Sequence, residues 1–85
     1  MDYLLTFQSM HNVMKGEKAL KALPIDATIM PLPIGLGDLC NMCLRVKQID
    51  ILEVVKVLKE KNVPLVEIFK IGGTDQERIY QKWQT

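Results

Sequence analysis

The run from Pro31 to Cys43, PLPIGLGDLCNMC, contains two of the chain's four prolines, two of its five glycines and both of its cysteines. Proline has no backbone N–H to donate and glycine forfeits conformational entropy when ordered, so this run fits neither a helix interior nor a central strand. It is a loop that divides the chain in two, and it carries the only thiols.

Each half reads as strand, helix, strand. Asp2 to Phe7 (DYLLTF) is short, aromatic and aliphatic, which suits a strand. Ser9 is a favourable N-cap for the segment after it, where Met10, Val13, Gly16, Leu20 and Leu23 recur at helical spacing and Lys15, Lys18 and Lys21 form a wet face. Gly16 sits on the apolar stripe, which points to close packing of this helix on a sheet. Pro24 stops it, and Ala27 to Met30 is a second strand. Beyond the loop, Asn41 to Val46 alternates with period two, with Met42, Leu44 and Val46 on one face and Cys43 and Arg45 on the other. Asp50 and Glu53 have the form of a capping box opening a second helix, with Ile51, Leu52, Val55 and Leu58 as its buried stripe. Asn62 and Pro64 punctuate its end, and Leu65 to Ile71, closed by Gly72 and Gly73, is a fourth strand.

The order β-α-β-β-α-β predicts an α+β fold. Its common compact form is a ferredoxin-like sandwich, two helices on one face of a four-stranded antiparallel sheet. Residues 1–73 form this domain, and 74–85 a tail with the pattern of a short helix capped by Thr74 or Asp75. Neither sheet face is cleanly polar. An open face of this kind implies cover by the tail, a second copy or a partner, and homodimerisation is the expectation.

Composition narrows the function classes. With 85 residues, 48% hydrophobic and 25% charged, this is a single folded domain, not a disordered segment. Eleven basic and ten acidic residues leave a net charge of +1, so no global field attracts nucleic acid or an anionic membrane. MDYLLTFQSM has no basic n-region and only a short apolar run, no segment approaches the ~18 apolar residues of a span, and two cysteines three positions apart are no disulfide framework; the expectation is a reducing cytoplasm. The glycines of PIGLG are followed by no GK[ST], and no cofactor is expected.

The chemistry centres on the loop. In the predicted topology the β2–β3 connection and the β1–α1 turn share one end of the sheet, bringing Cys40 near Ser9, Met10 and His11, with the 62–64 turn at that end too. There, the N-terminus of the first helix and His11 would favour a thiolate at Cys40. Cys43 reads as a small apolar residue of the strand. Ser9 reads as a cap, since no Asp–His pair is placed to activate it. His11 with Cys40 and Cys43 makes three metal-ligating residues, enough only for a site shared across a dimer. Trp83 is a core cover or a partner anchor.

Several of these residues fall in a recognisable order: F-x-S-x-H at Phe7, Ser9 and His11, the Glu17-Lys18-Ala19-Leu20 segment, P-x-P at Pro31 and Pro33, Cys40, and Arg45. Together, from the first strand to the fourth, they resemble the putative selenium/sulfur carrier protein-like family. The chain departs from that pattern in three places: Asn41 stands where the family carries glycine, Ile34 where it has a polar or basic residue, and Cys43 where it does not normally have a cysteine. The resemblance implies a small carrier without turnover of its own. Cys40 would hold sulfur or selenium as a persulfide or selenosulfide for a partner enzyme, assisted by His11. Ser9, Pro31, Pro33, Asn41 and Arg45 are the accompanying binding candidates. Two other readings compete with it: a non-catalytic protein–protein interaction or regulatory domain that uses the sheet face and tail, and metal binding across a dimer.

Overall fold

A computed structural model describes residues 2–47 and 50–84. Met1 and Thr85, the outer limits of the ranges read from the sequence, lie outside these. The described elements are β1 (Asp2–Thr6), α1 (Met10–Lys21), β2 (Ala27–Pro31), β3 (Met42–Val46), α2 (Ile51–Glu60), β4 (Glu67–Gly73) and β5 (Arg78–Lys82). The strands form one sheet in the order β2-β3-β1-β4-β5, and every pairing is antiparallel.

The α+β class holds, but the sheet has five strands and not four. The helix expected in the tail is a strand: Phe69 to Gly73 pairs with Arg78 to Lys82 in a hairpin. Thr74 caps a turn here instead of a helix, its hydroxyl and carbonyl oxygens accepting from the Glu77 N–H at 3.1 and 3.2 Å. Gly73, at φ +80°, makes that turn possible, since a Cβ there would collide with the Glu77 carbonyl. Pairing with β5 also keeps Gly72 and Gly73 inside β4. The alternation in RIYQK was the available signal, and the Thr-Asp cap pattern hid it.

Both helix caps follow from the sequence. Ser9 Oγ accepts from the Asn12 N–H at 3.3 Å and Asp50 Oδ1 from the Leu52 N–H at 3.0 Å. The end of α2 is a Schellman motif: Val63 donates to the Leu58 carbonyl at 2.9 Å and Asn62 to Lys59 at 3.2 Å. Asn62 takes the left-handed conformation this needs, φ +59°, and Val63 and Leu58 are both buried in the core.

Around the helices lies the larger core, with Tyr3, Leu5, Phe7, Val13, Leu20, Leu44 and Val46 among its members. In α2 the buried stripe is Ile51, Val54, Val57 and Leu58, while Leu52 is exposed and Val55 only half-buried. This corrects the stripe read from spacing. The helix is apolar on most of its circumference, so packing against α1 and the sheet, not periodicity, chooses the face.

A second cluster occupies the opposite sheet face. Leu4, Cys43 and Phe69 are buried there, with Met30, Leu32, Leu36, Ile71 and Tyr80 packed on them. Leu32 and Leu36 come from the Pro/Gly loop, which folds back as a strap, and Tyr80 from β5. This face, for which cover by the tail, a second copy or a partner was expected, is partly covered by the strap and by β5 of the same chain.

Gly16 allows α1 to approach the sheet, because a Cβ there would lie 3.1 Å from Phe7 Cζ and 3.2 Å from Leu44 Cδ1. Replacing Gly16 with valine should therefore destabilise the protein by about 1–3 kcal/mol through overpacking, measured as a lowered denaturant midpoint at unchanged slope.

Candidate functional site

The strap that covers the outer face also determines the surroundings of Cys40. At its tip, Leu36 donates to the Pro33 carbonyl at 3.3 Å, and Gly35, at φ +91°, supplies the left-handed residue of the turn. Ile34 projects from that tip, fully exposed. At the neck, Leu32 donates to the Asn41 carbonyl at 2.9 Å, closing the strap just before β3.

Cys40 sits inside this neck, half-buried and packed against the helix-side core. It lines a cavity of about 160 Å³ formed by Thr6 and Phe7 at the end of β1, Leu32 and residues 36–40 of the strap, and Val66 and Glu67 at the start of β4. Val66 is anchored by its N–H to the Thr6 carbonyl at 2.9 Å, and the Thr6 hydroxyl donates to the Glu67 carbonyl at 3.4 Å. Two acidic residues, Asp38 and Glu67, are among its lining residues, and the Glu67 carboxylate is paired with Lys82 at 3.2 Å. Since liquid water takes about 30 Å³ per molecule, the cavity has room for only a few small groups beside the sulfur.

Cys43 lies three residues on, in β3, fully buried on the outer face. Its thiol donates to the Pro31 carbonyl across a 3.9 Å contact. Burial, reinforced by the charge of nearby Cys40, pushes its pKa up to about 11. The two thiols therefore differ in kind: Cys40 is partly open to solvent, and Cys43 is a protonated member of an apolar cluster.

The other candidates are scattered. Ser9 acts as the helix cap, and His11 is exposed in the first turn of α1; neither lines the cavity, and among the described residues no hydrogen bond joins either to Cys40. Pro31 ends β2, and Pro33 and Asn41 belong to the strap; all three are the backbone acceptors just described. Arg45 is directed elsewhere, its Nε and Nη2 donating to Asp2 Oδ2 at 3.1 and 2.6 Å. Asp2 begins β1, whereas the Cys40 cavity lies at the end of that strand, so Arg45 and Cys40 sit toward opposite ends of the sheet.

Thr6, Leu36 and Glu67 are cavity residues that sequence reasoning did not single out, whereas Phe7 entered it through the F-x-S-x-H run. Only Leu36 left a signal there: with Leu32 it is an apolar residue in an otherwise loop-like run, which marks packing.

Among the described residues no group of three or more His, Cys, Asp or Glu side chains is arranged to hold a metal ion, and no helix is long and apolar enough to cross a membrane. What these features define is a small α+β domain that presents one partly accessible thiol at the mouth of a small cavity. The chain belongs to the putative Se/S carrier protein-like family, whose sequence profile matches residues 2–70. Strand β5 and Trp83 lie beyond the matched region. No curated protein and no solved structure matches the chain.

Two expectations follow. An unfolded Cys43 ionises near 9.0 and the native one near 11, so between these values the unfolded chain has lost a proton that the native chain keeps. Stability is therefore full below pH 9 and falls as pH rises toward 11, by up to about 3 kcal/mol. Urea titrations across that window should show wild type losing stability relative to Cys43→Ala, which lacks the titrating group. Separately, Arg45→Met should cost about 1 kcal/mol or less, since its ion pair with Asp2 is partly solvated, and should leave the alkylation rate of Cys40 unchanged.

Proposed function

We propose that the protein is a small carrier that holds a sulfur or selenium atom on Cys40 for a partner enzyme. The observation that carries this reading is the contrast between the two thiols: Cys40 opens on a cavity scaled to a small adduct, while Cys43 is sealed and protonated. Family membership supports it through the family's name. Loading would be an exchange reaction. The Cys40 thiolate attacks the outer sulfur of a donor persulfide, the new sulfur–sulfur bond forms as the donor's breaks, and the donor leaves as its own thiolate. Unloading is the same step in reverse toward the partner's thiol.

The reading brings with it a reducing cytoplasm, in which the thiols stay free, and a protein partner that meets Cys40 beside the exposed Ile34 and Leu39. It also assigns β1 to β4 and the two helices to a ferredoxin-like unit. The sheet order β2-β3-β1-β4 with helices after β1 and β3 supports that assignment, β5 being an appended edge strand.

Intact-mass measurement after incubation with inorganic polysulfide is the test. One added sulfur on wild type and none on Cys40→Ser is the expected result; equal loading of both, or loading of neither, would overturn the carrier reading. Alkylation with iodoacetamide at neutral pH should likewise modify Cys40 at least about a hundredfold faster than Cys43, because only thiolate reacts.

A further inference from the structure

The strap and the second cysteine have no role in loading, and together they suggest one in release. Among the described residues, Cys43 is the only nucleophilic group with a fully buried side chain, and it belongs to the cluster on which Leu32 and Leu36 pack. Cys40 is the last-but-one residue of the same strap, held on the helix-side core while Cys43 faces the outer cluster. One segment thus covers one thiol and carries the other.

The strap is built to lift. It has no regular secondary structure, and among the described residues a single backbone hydrogen bond, Leu32 to Asn41, spans its neck. Gly35 and Gly37 both take positive φ, and a Cβ at Gly35 would meet nothing within 4 Å, so that corner rests on no other part of the molecule. What holds the strap down is the packing of Leu32 and Leu36 on the outer cluster and of Cys40 on the helix-side core, all three only partly buried. Segments secured by so few contacts open well below the free energy of global unfolding.

We propose that the strap is a gate on Cys43, and that when it lifts Cys43 discharges a sulfur held on Cys40. This rests on the carrier reading. In the step, the Cys43 thiolate attacks the inner sulfur of the Cys40 persulfide. The Cys40–Cys43 disulfide forms, the bond to the outer sulfur breaks, and that sulfur leaves as hydrosulfide with both bonding electrons. No external oxidant is consumed, because the bound sulfur is reduced as the two thiols are oxidised. Closed, the strap keeps Cys43 covered and protonated, and the sulfur is retained; a partner that grips exposed Ile34 and pulls the strap outward would release it. Residues three apart on a regular strand face opposite ways, but Cys40 lies before β3 begins, so a bend at Asn41 is available to bring them together.

The test uses the full chain loaded with inorganic polysulfide and freed of excess reagent, with sulfide release and intact mass followed over time. Wild type should release sulfide and end as an internal disulfide. Cys43→Ala should retain its sulfur at least about tenfold longer, and Leu36→Ala should discharge about three- to tenfold faster than wild type. Equal lifetimes in wild type and Cys43→Ala, with no internal disulfide, would overturn the proposal while leaving the carrier reading intact. If Cys40 takes up no sulfur in Cys43→Ala, the carrier reading fails, and the gate is judged by alkylating Cys43 in Cys40→Ser across a series of low urea concentrations. A rate nearly independent of urea, and raised by Leu36→Ala, supports a local gate. A rate with the full denaturant slope of global unfolding refutes it.

Discussion

Strand β1 lies at the middle of the sheet, flanked by β3 and β4, and its side chains are buried on both faces. Tyr3 and Leu5 point to the helices and Leu4 to the other side, with Leu4 and Leu5 wholly out of solvent. A central strand apolar on both faces cannot be served by helices on one face alone, since each exposed leucine would forfeit about 1.5–3 kcal/mol of burial. Something must cover the second face, and the strap does so with Leu32 and Leu36, helped by Tyr80. The position of Cys40 is a consequence of that requirement: the chain must cross the sheet face and return to the end of β1 before β3 can start.

The same geometry separates the two thiols of Cys-Asn-Met-Cys. Cys43 is in register with Thr6 and Met30 on the outer face, where desolvation favours the neutral thiol. Cys40, outside the ladder, is free of that constraint and turns toward Phe7 and the cavity. Two residues of one kind, nearly adjacent in sequence, acquire different chemistry because one is fixed by strand pairing and the other by a loop. A separate groove of about 420 Å³ runs along Val55, Leu58, Val63 and Leu65, and a neighbouring one extends from Val55 and Leu65 past Val66 and Glu67 to Trp83. Trp83 packs edge-on against Tyr3, with ring centroids 6.2 Å apart, so the tail closes the core at that edge.

Much of the fold was legible locally. Ser9 and Asp50 announce helix starts because their side chains satisfy the free N–H groups there, and the alternation of Met42 to Val46 announces β3. The thiol location was legible as well, from proline and glycine excluding regular structure. Other features were not. The tail strand was masked by a cap-like Thr74 and Asp75, since a hydroxyl that caps a helix also caps a tight turn. The partner of Arg45 was not legible, because Asp2 is 43 positions away and is brought close only by β1 pairing with β3. The buried face of α2 was ambiguous because Leu52 and Val54 are equally apolar, and only the direction of the sheet distinguishes them.

The sequence by itself determined the alternation of strands and helices, the caps, and the presence of a loop bearing two cysteines, because each depends on backbone preferences and on residues a few positions apart. The tertiary structure alone decided that this loop lies across the sheet as a strap, that Cys43 is sealed and Cys40 is not, and that the cavity mouth is built from Phe7, Leu36 and Glu67. Those outcomes depend on which surfaces meet, and burial, the term that governs them, is a property of the assembled chain and not of any segment within it.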